Sequence, residues 1–242
     1  MTQKILFDWF DGILHVSEFD DVSNNGIQIA SDVKDVKTVA FAVDASVKNV
    51  RAAAAAGAQI LVVHHGISWG GGIKRITGGV FNVVKAAMDA GVAVYACHLP
   101  LDASRECGNN FEIARALGMT RLKKAFSYHG NVIGVTGNLA DVGRIGEVFS
   151  HVKAQLKGLK GAVKLGVCSG GAGDFAPRAK ELGCDAYLTG EASWGDVIAA
   201  ENVGMKMITA GHYETEVFGV GALAKLTAAQ FKVKTVDLTE EE

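Results

Sequence analysis

The sequence predicts an α/β protein built as two similar α/β domains, related by a weak internal duplication, with a site expected between them. Short apolar, partly β-branched runs at residues 38–43, 59–63 and 92–96 alternate with stretches of helical spacing, which is how strands buried on both sheet faces read. Each of these runs ends in a polar cluster: Asp44-Ala45-Ser46, then His64-His65-Gly66, then His98-Leu99-Pro100-Leu101-Asp102. The second half repeats the order loosely. Cys168-Ser169-Gly170 leads through a helix to Thr189-Gly190-Glu191-Ala192-Ser193-Trp194, and a further strand ends at Gly211-His212. Ligands collect at the carboxyl ends of strands in open α/β sheets, so the clusters mark the edge to watch.

In order, Ile5, Leu6, Trp9, Phe10, Ile13 and Leu14 have helical spacing, with Asp8, Asp11, Glu18 and Asp20 set among them. This is an amphipathic helix and not a signal peptide. A polar turn over 20–26 precedes a short strand at 27–29. The strand over 38–43 closes at Asp44, and Ser46 is placed to cap the helix that runs to Ala56. The next strand runs into His64 and His65. Adjacent strand residues face opposite ways, so both imidazoles share one site only where the strand has broken, at Gly66. Residues 70–79 carry Gly-Gly-Gly and Thr-Gly-Gly without the Gly-Lys-Ser/Thr of a phosphate loop, and are expected to form a mobile loop. A helix over 80–90, a strand over 92–96 and a helix over 109–117 follow. Residues 121–128, with Lys123-Lys124 and a weak pattern, are the expected linker, dividing the chain into domains 1–125 and 126–242 with no inserted third domain. In the second domain the expected elements are a strand at 132–137, a helix at 143–155 and a strand at 163–168.

Composition excludes several classes. With 242 residues there is ample chain for a core, and a net charge of -2 leaves no basic footprint for generic nucleic-acid binding. No apolar run approaches the ~20 residues that span a bilayer. Cys97, Cys107, Cys168 and Cys184 lack Cys-x-x-Cys spacing and are expected as small buried residues in a reducing, cytoplasmic setting.

The chemistry lies in the strand-end clusters. His212 and Glu216 are four apart at a helix start, so they share a face, while Glu214 serves the helix dipole. His64, His65, Asp102, His212 and Glu216 are more ligands than one tetrahedral ion takes. Two divalent ions, bridged by Asp102 and Glu216, would use them all. Nitrogen and oxygen donors without thiolate suit Zn, Fe, Mn, Co or Ni. His15, His129 and His151 are expected at the surface or in structural roles.

Six separated stretches, Asn25-Gly26-Ile27-Gln28, Asp44-Ala45-Ser46, His64-His65-Gly66, His98 to Asp102, Thr189-Gly190-Glu191 and Gly211-His212-Tyr213 to Glu216, resemble the successive motifs of the NGG-one-interacting-factor-three-like family, catalogued as GTP cyclohydrolase 1 type 2 homologues. The resemblance implies a toroidal homohexamer, a dinuclear centre on the same five ligands, and attack on the imidazole ring of GTP. A dimetal centre makes water acidic enough to attack near neutral pH, so a hydrolase of a nucleotide-like small molecule is the expected function. His98 is the candidate for proton transfer, and Glu191 is a candidate base or partner of a ligating histidine. The alternative is a non-catalytic metal-binding regulatory or scaffold hexamer.

Overall fold

The computed structural model describes residues 1–239. The chain forms two compact units, Met1–Leu101 with the segment from Gly219, and Asp102–Phe218, and each holds a five-stranded sheet. This division differs from the one expected at 125/126.

In the first unit, α1 (Gln3–Leu14) is capped by the Thr2 hydroxyl and buries Leu6, Phe7, Phe10 and Leu14. Strands β1 (Gly26–Ile29) and β2 (Thr38–Asp44), helix α2 (Val47–Ala55), strand β3 (Ile60–His65), helix α3 (Gly78–Ala90), strand β4 (Ala93–Ala96) and the short helix α4 (Leu99–Ala103) follow. The Ser46 hydroxyl accepts from Asn49 N at 3.0 Å, as its position before the helix predicts. Strands β2, β3 and β4 are parallel neighbours, and β1 closes one edge antiparallel to β4. Alternation divides the sheet between two helical layers. Ala40, Ala42, Leu61, Val63, Val94 and Ala96 join Val50 and Ala53 of α2 and Val83 and Ala87 of α3 in one cluster. On the other face Phe10 of α1 meets Phe41 and Tyr95, at centroid distances of 6.4 and 5.1 Å.

The second unit contains α5 (Asn109–Ala116), β5 (Thr120–Tyr128), β6 (Asn131–Leu139), α6 (Gly143–Val148), β7 (Val163–Cys168), α7 (Ala176–Glu181), β8 (Ala186–Thr189), α8 (Trp194–Asn202), β9 (Lys206–Thr209) and the start of α9 (His212–Gln230). Its sheet runs β5-β6-β7-β8-β9, and β7, β8 and β9 form a parallel triplet in chain order, as β2, β3 and β4 do. That shared triplet is the topological content of the loose repeat.

Residues 121–128 are not a linker. They lie in β5, which pairs antiparallel with β6 through a two-residue turn, His129-Gly130, at φ 48° and 82°. Positive φ at both turn positions matches the twist of a hairpin, and lysines on an edge strand discourage pairing with other chains. The weak pattern of this stretch is that of an edge strand. The division of units also follows from pairing: β10 (Lys234–Asp237) lies parallel to β2, which carries the end of the chain into the first sheet. All four cysteines are free and buried, and among the described residues no helix is long and apolar enough to cross a membrane.

Candidate functional site

In the first unit, candidate donors gather where β2, β3 and β4 stop. His65 is the last residue of β3, so no break at Gly66 is needed: the ring of the terminal residue turns to lie 4.7 Å from that of His64, centroid to centroid. Register places Asp44 opposite His65 in the parallel pair, and His65 Nδ1 lies 3.0 Å from Asp44 Oδ1. His64 is fully buried, with Nδ1 3.0 Å from the Cys97 carbonyl at the end of β4. A carbonyl only accepts, so Nδ1 carries the proton and Nε2 of His64 presents its lone pair.

His98 follows directly. Its Nδ1 lies 2.9 Å from Asp21 Oδ1, and its backbone N donates to Asn25 Oδ1 at 2.7 Å. Asp21 also accepts from Ser23 N, Asn25 Nδ2 and Leu99 N, at 3.0, 2.8 and 2.9 Å. One nitrogen each from His64, His65 and His98 can be chosen so that all lie within 4.8 Å of one another. Asp21 is the residue that sequence reasoning missed: it reads as one more polar member of a turn, 77 residues from its imidazole.

Burial raises the Asp21 pKa, but the His98 hydrogen bond and charge, with the bonds from Asn25 and Ser23, outweigh it and bring the carboxyl from 3.8 to about 2. A carboxyl with a lowered folded pKa stabilises above its unfolded value and loses that contribution as pH falls through the folded one. Asp21→Asn should therefore lower the thermal midpoint most near neutral pH, with the gap to wild type closing as pH falls from about 4 to about 2. Melting curves of both proteins across that range check it; a gap constant with pH would mean that the Asp21 charge contributes nothing.

In the second unit the donors gather around Ser169-Gly170. Asp102 is buried, and its Oδ1 accepts from Asn109 Nδ2 at 2.8 Å and Ser169 Oγ at 3.1 Å. Asn110 locks the same corner, accepting from Ser169 N at 2.7 Å and donating to the Ile133 carbonyl at 2.9 Å. Gly170 has φ +65°, and a Cβ there would lie 2.4 Å from Glu216 Oε1 and 3.4 Å from His212 Nε2. The glycine is what lets the backbone pass so close to both donors. The sequence marks Ser169-Gly170 as a strand end, but a polar helix start at Asn109 and a Ser-Gly-Gly turn carry no sign of these partners.

His212 Nδ1 lies 3.0 Å from Glu191 Oε1, and its Nε2 lies 3.1 Å from Glu216 Oε1. The Glu216 hydrogen bond raises the His212 pKa, burial opposes it, and the charges of Glu216 and Glu191 complete a rise to about 9. An ion bound at Nε2 has to displace that proton. Glu191 itself is 64% exposed. The Cys168 thiol is pushed well up, by burial first and then by the negative charge of Asp102 and Asp174.

This donor chemistry fits a divalent transition ion. Imidazoles and carboxylates are the donors gathered in each unit, and the histidines have Nδ1 engaged by a carbonyl or carboxylate, the arrangement that orients Nε2 toward a metal.

A family model described as Duf34/NIF3 (NGG1p interacting factor 3) matches residues 1–241. A Pyrococcus horikoshii protein named GTP cyclohydrolase 1 type 2 homolog is 36% identical over 245 residues, covering 98% of this chain and 97% of that one. A Deinococcus radiodurans protein of the same name is 37% identical over 236 residues, covering 94% and 89%. Among solved structures, a Thermus thermophilus protein matches with TM-score 0.83 at 31% identity, covering 98% of each chain. A protein called ybgI, described as of unknown function, matches with TM-score 0.86 at 28% identity, covering 98% and 97%. With the family model spanning nearly the whole sequence and relatives above 30% identity along its length, the chain belongs to the Duf34/NIF3 family.

Proposed function

We propose that this protein is a divalent-metal-dependent hydrolase of a nucleotide-like substrate, holding two ions per chain on His64, His65, Asp102, His212 and Glu216. The observation that carries the reading is the engagement of Nδ1 in His64 by a carbonyl and in His65 and His212 by carboxylates, which favours Nε2 as the ligand atom in each. The name shared by the curated relatives, GTP cyclohydrolase 1 type 2 homolog, supports a purine nucleotide or a close analogue as substrate. Bound divalent ions supply Lewis acidity and an activated water at neutral pH.

The chain's own residues supply the rest. Asp21 and Asn25 hold the ring and backbone of His98, leaving Nε2 to move a proton to or from the reacting group. Glu191 orients His212, and Asn109 and Ser169 orient Asp102. We further propose that the assembly is a toroidal homohexamer. Six copies in a ring is what the family resemblance implies, and the exposed Trp194, at 78%, and Met88, at 68%, support contact between copies.

Elemental analysis of protein purified without chelator tests the metal reading, alongside the double variant Asp102→Ala, Glu216→Ala. The expected result is about two transition-metal ions per wild-type chain, lost in the variant while circular dichroism stays native. Full occupancy that survives both substitutions would remove these carboxylates from the site. Ions that are bound but support no hydrolysis across a panel of nucleotides would favour the regulatory or scaffold reading.

A further inference from the structure

We propose that Trp69 is a stacking platform for a planar heteroaromatic ring, and so the residue that selects a purine-like ligand at the three-histidine cluster. The proposal deepens the nucleotide-like reading above and rests on it. Trp69 lies four residues past His65, with its ring centroid 5.9 Å from that of His65 and 5.2 Å from that of His98, crossed at 76° to the latter. Despite these contacts the residue remains 39% exposed.

What separates this indole from an incidental surface tryptophan is how firmly its segment is tied down. Its Nε1–H donates to the Gly66 carbonyl at 2.9 Å, and its backbone forms an isolated antiparallel bridge with Ser23. On either side, Asn24 N donates to the Ser68 carbonyl at 3.1 Å and Gly70 N to the Val22 carbonyl at 2.6 Å. The Gln28 amide oxygen accepts from Ile67 N and Ser68 N, at 2.6 and 3.0 Å. Gly66 admits that amide: a Cβ at this position would lie 2.2 Å from Gln28 Oε1. The segment opening the glycine-rich stretch is thus pinned to the turn that carries Asp21 and Asn25, the two residues that hold His98.

A rigid, half-exposed aromatic beside groups able to bind or move protons offers ring-stacking area with little conformational entropy left to lose. Stacking recognises any planar heterocycle, because each has a π face. Hydrogen bonds and the candidate ligands then decide which atom of the ring reacts. A sugar phosphate without a base would leave the indole uncovered.

Equilibrium dialysis of the protein as purified, with guanosine monophosphate and with ribose 5-phosphate, tests this in wild type, Trp69→Ala and Trp69→Phe. Metal content and light-scattering mass are measured on the same samples. Wild type is expected to bind the nucleotide at least tenfold more tightly than ribose 5-phosphate. Trp69→Ala should lose about ten- to a hundredfold of nucleotide affinity, and Trp69→Phe should recover most of it, with metal content unchanged throughout. Equal nucleotide affinity in wild type and Trp69→Ala, equal binding of the two probes, or no nucleotide binding by wild type would each overturn the proposal. A changed assembly mass in Trp69→Ala with unaltered affinity would also overturn it, identifying the indole as a contact between copies. Low metal content in every sample would count against the metal reading alone, since ring binding is scored separately.

Discussion

Gly190→Ala is expected to cost about 3 kcal/mol of stability, at the upper end of what one misplaced methyl does in a packed interior. A Cβ at Gly190 would lie 2.6 Å from the Gly170 carbonyl oxygen, 2.7 Å from Thr215 Oγ1 and 2.9 Å from the Gly211 carbonyl oxygen. Two of these atoms are backbone, and none is at the end of a side chain free to swing away. The Gly170 carbonyl accepts from Glu191 N at 3.0 Å, and Gly211 N donates to the Gly190 carbonyl at 2.8 Å. Thr215 Oγ1 is held by Gly170 N at 3.1 Å and by the Gly211 carbonyl at 2.8 Å. Relief of the clash therefore means breaking hydrogen bonds between the segments that carry Gly170, Glu191 and His212. The unfolding midpoint should fall by roughly 6–12 °C, given about 2–4 °C per kcal/mol for a chain of this size. Gly195→Ala is the control of opposite sign. That glycine lies inside α8 and its added Cβ would meet only Ser193 Oγ, at 3.6 Å, so the variant should match or exceed wild type. Thermal unfolding followed by circular dichroism decides between them. Equal midpoints for the two variants would show that the close approach at Gly190 relaxes freely.

On the proposed ligand set, Asn109→Ala is expected to weaken metal binding by about 10- to 100-fold, the range typical when a group holding a ligand is removed. Asn109 is fully buried at the start of α5, and its amide donates to Asp102 Oδ1 at 2.8 Å. Without it, the carboxylate keeps the Ser169 hydroxyl at 3.1 Å but loses the bond that fixes its rotation. A buried acceptor deprived of a partner also costs about 1–3 kcal/mol, so a lower unfolding midpoint should accompany the effect. A general loss of stability would not by itself change affinity at a temperature where the fold is intact. Competition for the metal against a chelator of known affinity, at that temperature, isolates the positioning role. Asn109→Asp sets a like charge beside Asp102, and should depress stability in metal-free protein more than in metal-loaded protein, because a bound cation offsets the repulsion. Unchanged metal affinity in Asn109→Ala would mean that Asp102 is positioned without Asn109, or that Asp102 is not a ligand.

Local signals account for much of what is legible in the sequence. The β2 and β3 runs are apolar from Val39 to Val43 and from Ile60 to Val63 because strands covered on both faces need no alternation, and that reads directly in one dimension. Ser46 before α2 and the four-residue spacing of His212 and Glu216 in α9 are likewise short-range facts. His64, His65 and His98 are legible for the same reason: each ends or follows a buried strand.

Elsewhere, identity depended on partners distant in the chain. Thr120–Tyr128 is a strand because β6 pairs with it, and its own residues, half of them polar, carry only a faint alternation. The end of the chain belongs to the first sheet because β10 lies beside β2, a pairing across almost two hundred residues that no local propensity encodes. Asp21 holds His98 from 77 positions away, and Ser169 holds Asp102 from 67. The sequence by itself determined the α/β class, the strand ends where chemistry gathers and the residue types available there. The long-range pairs, Asp21 on His98 and Ser169 on Asp102, come from tertiary packing, because no local pattern encodes a partner so far away in the chain.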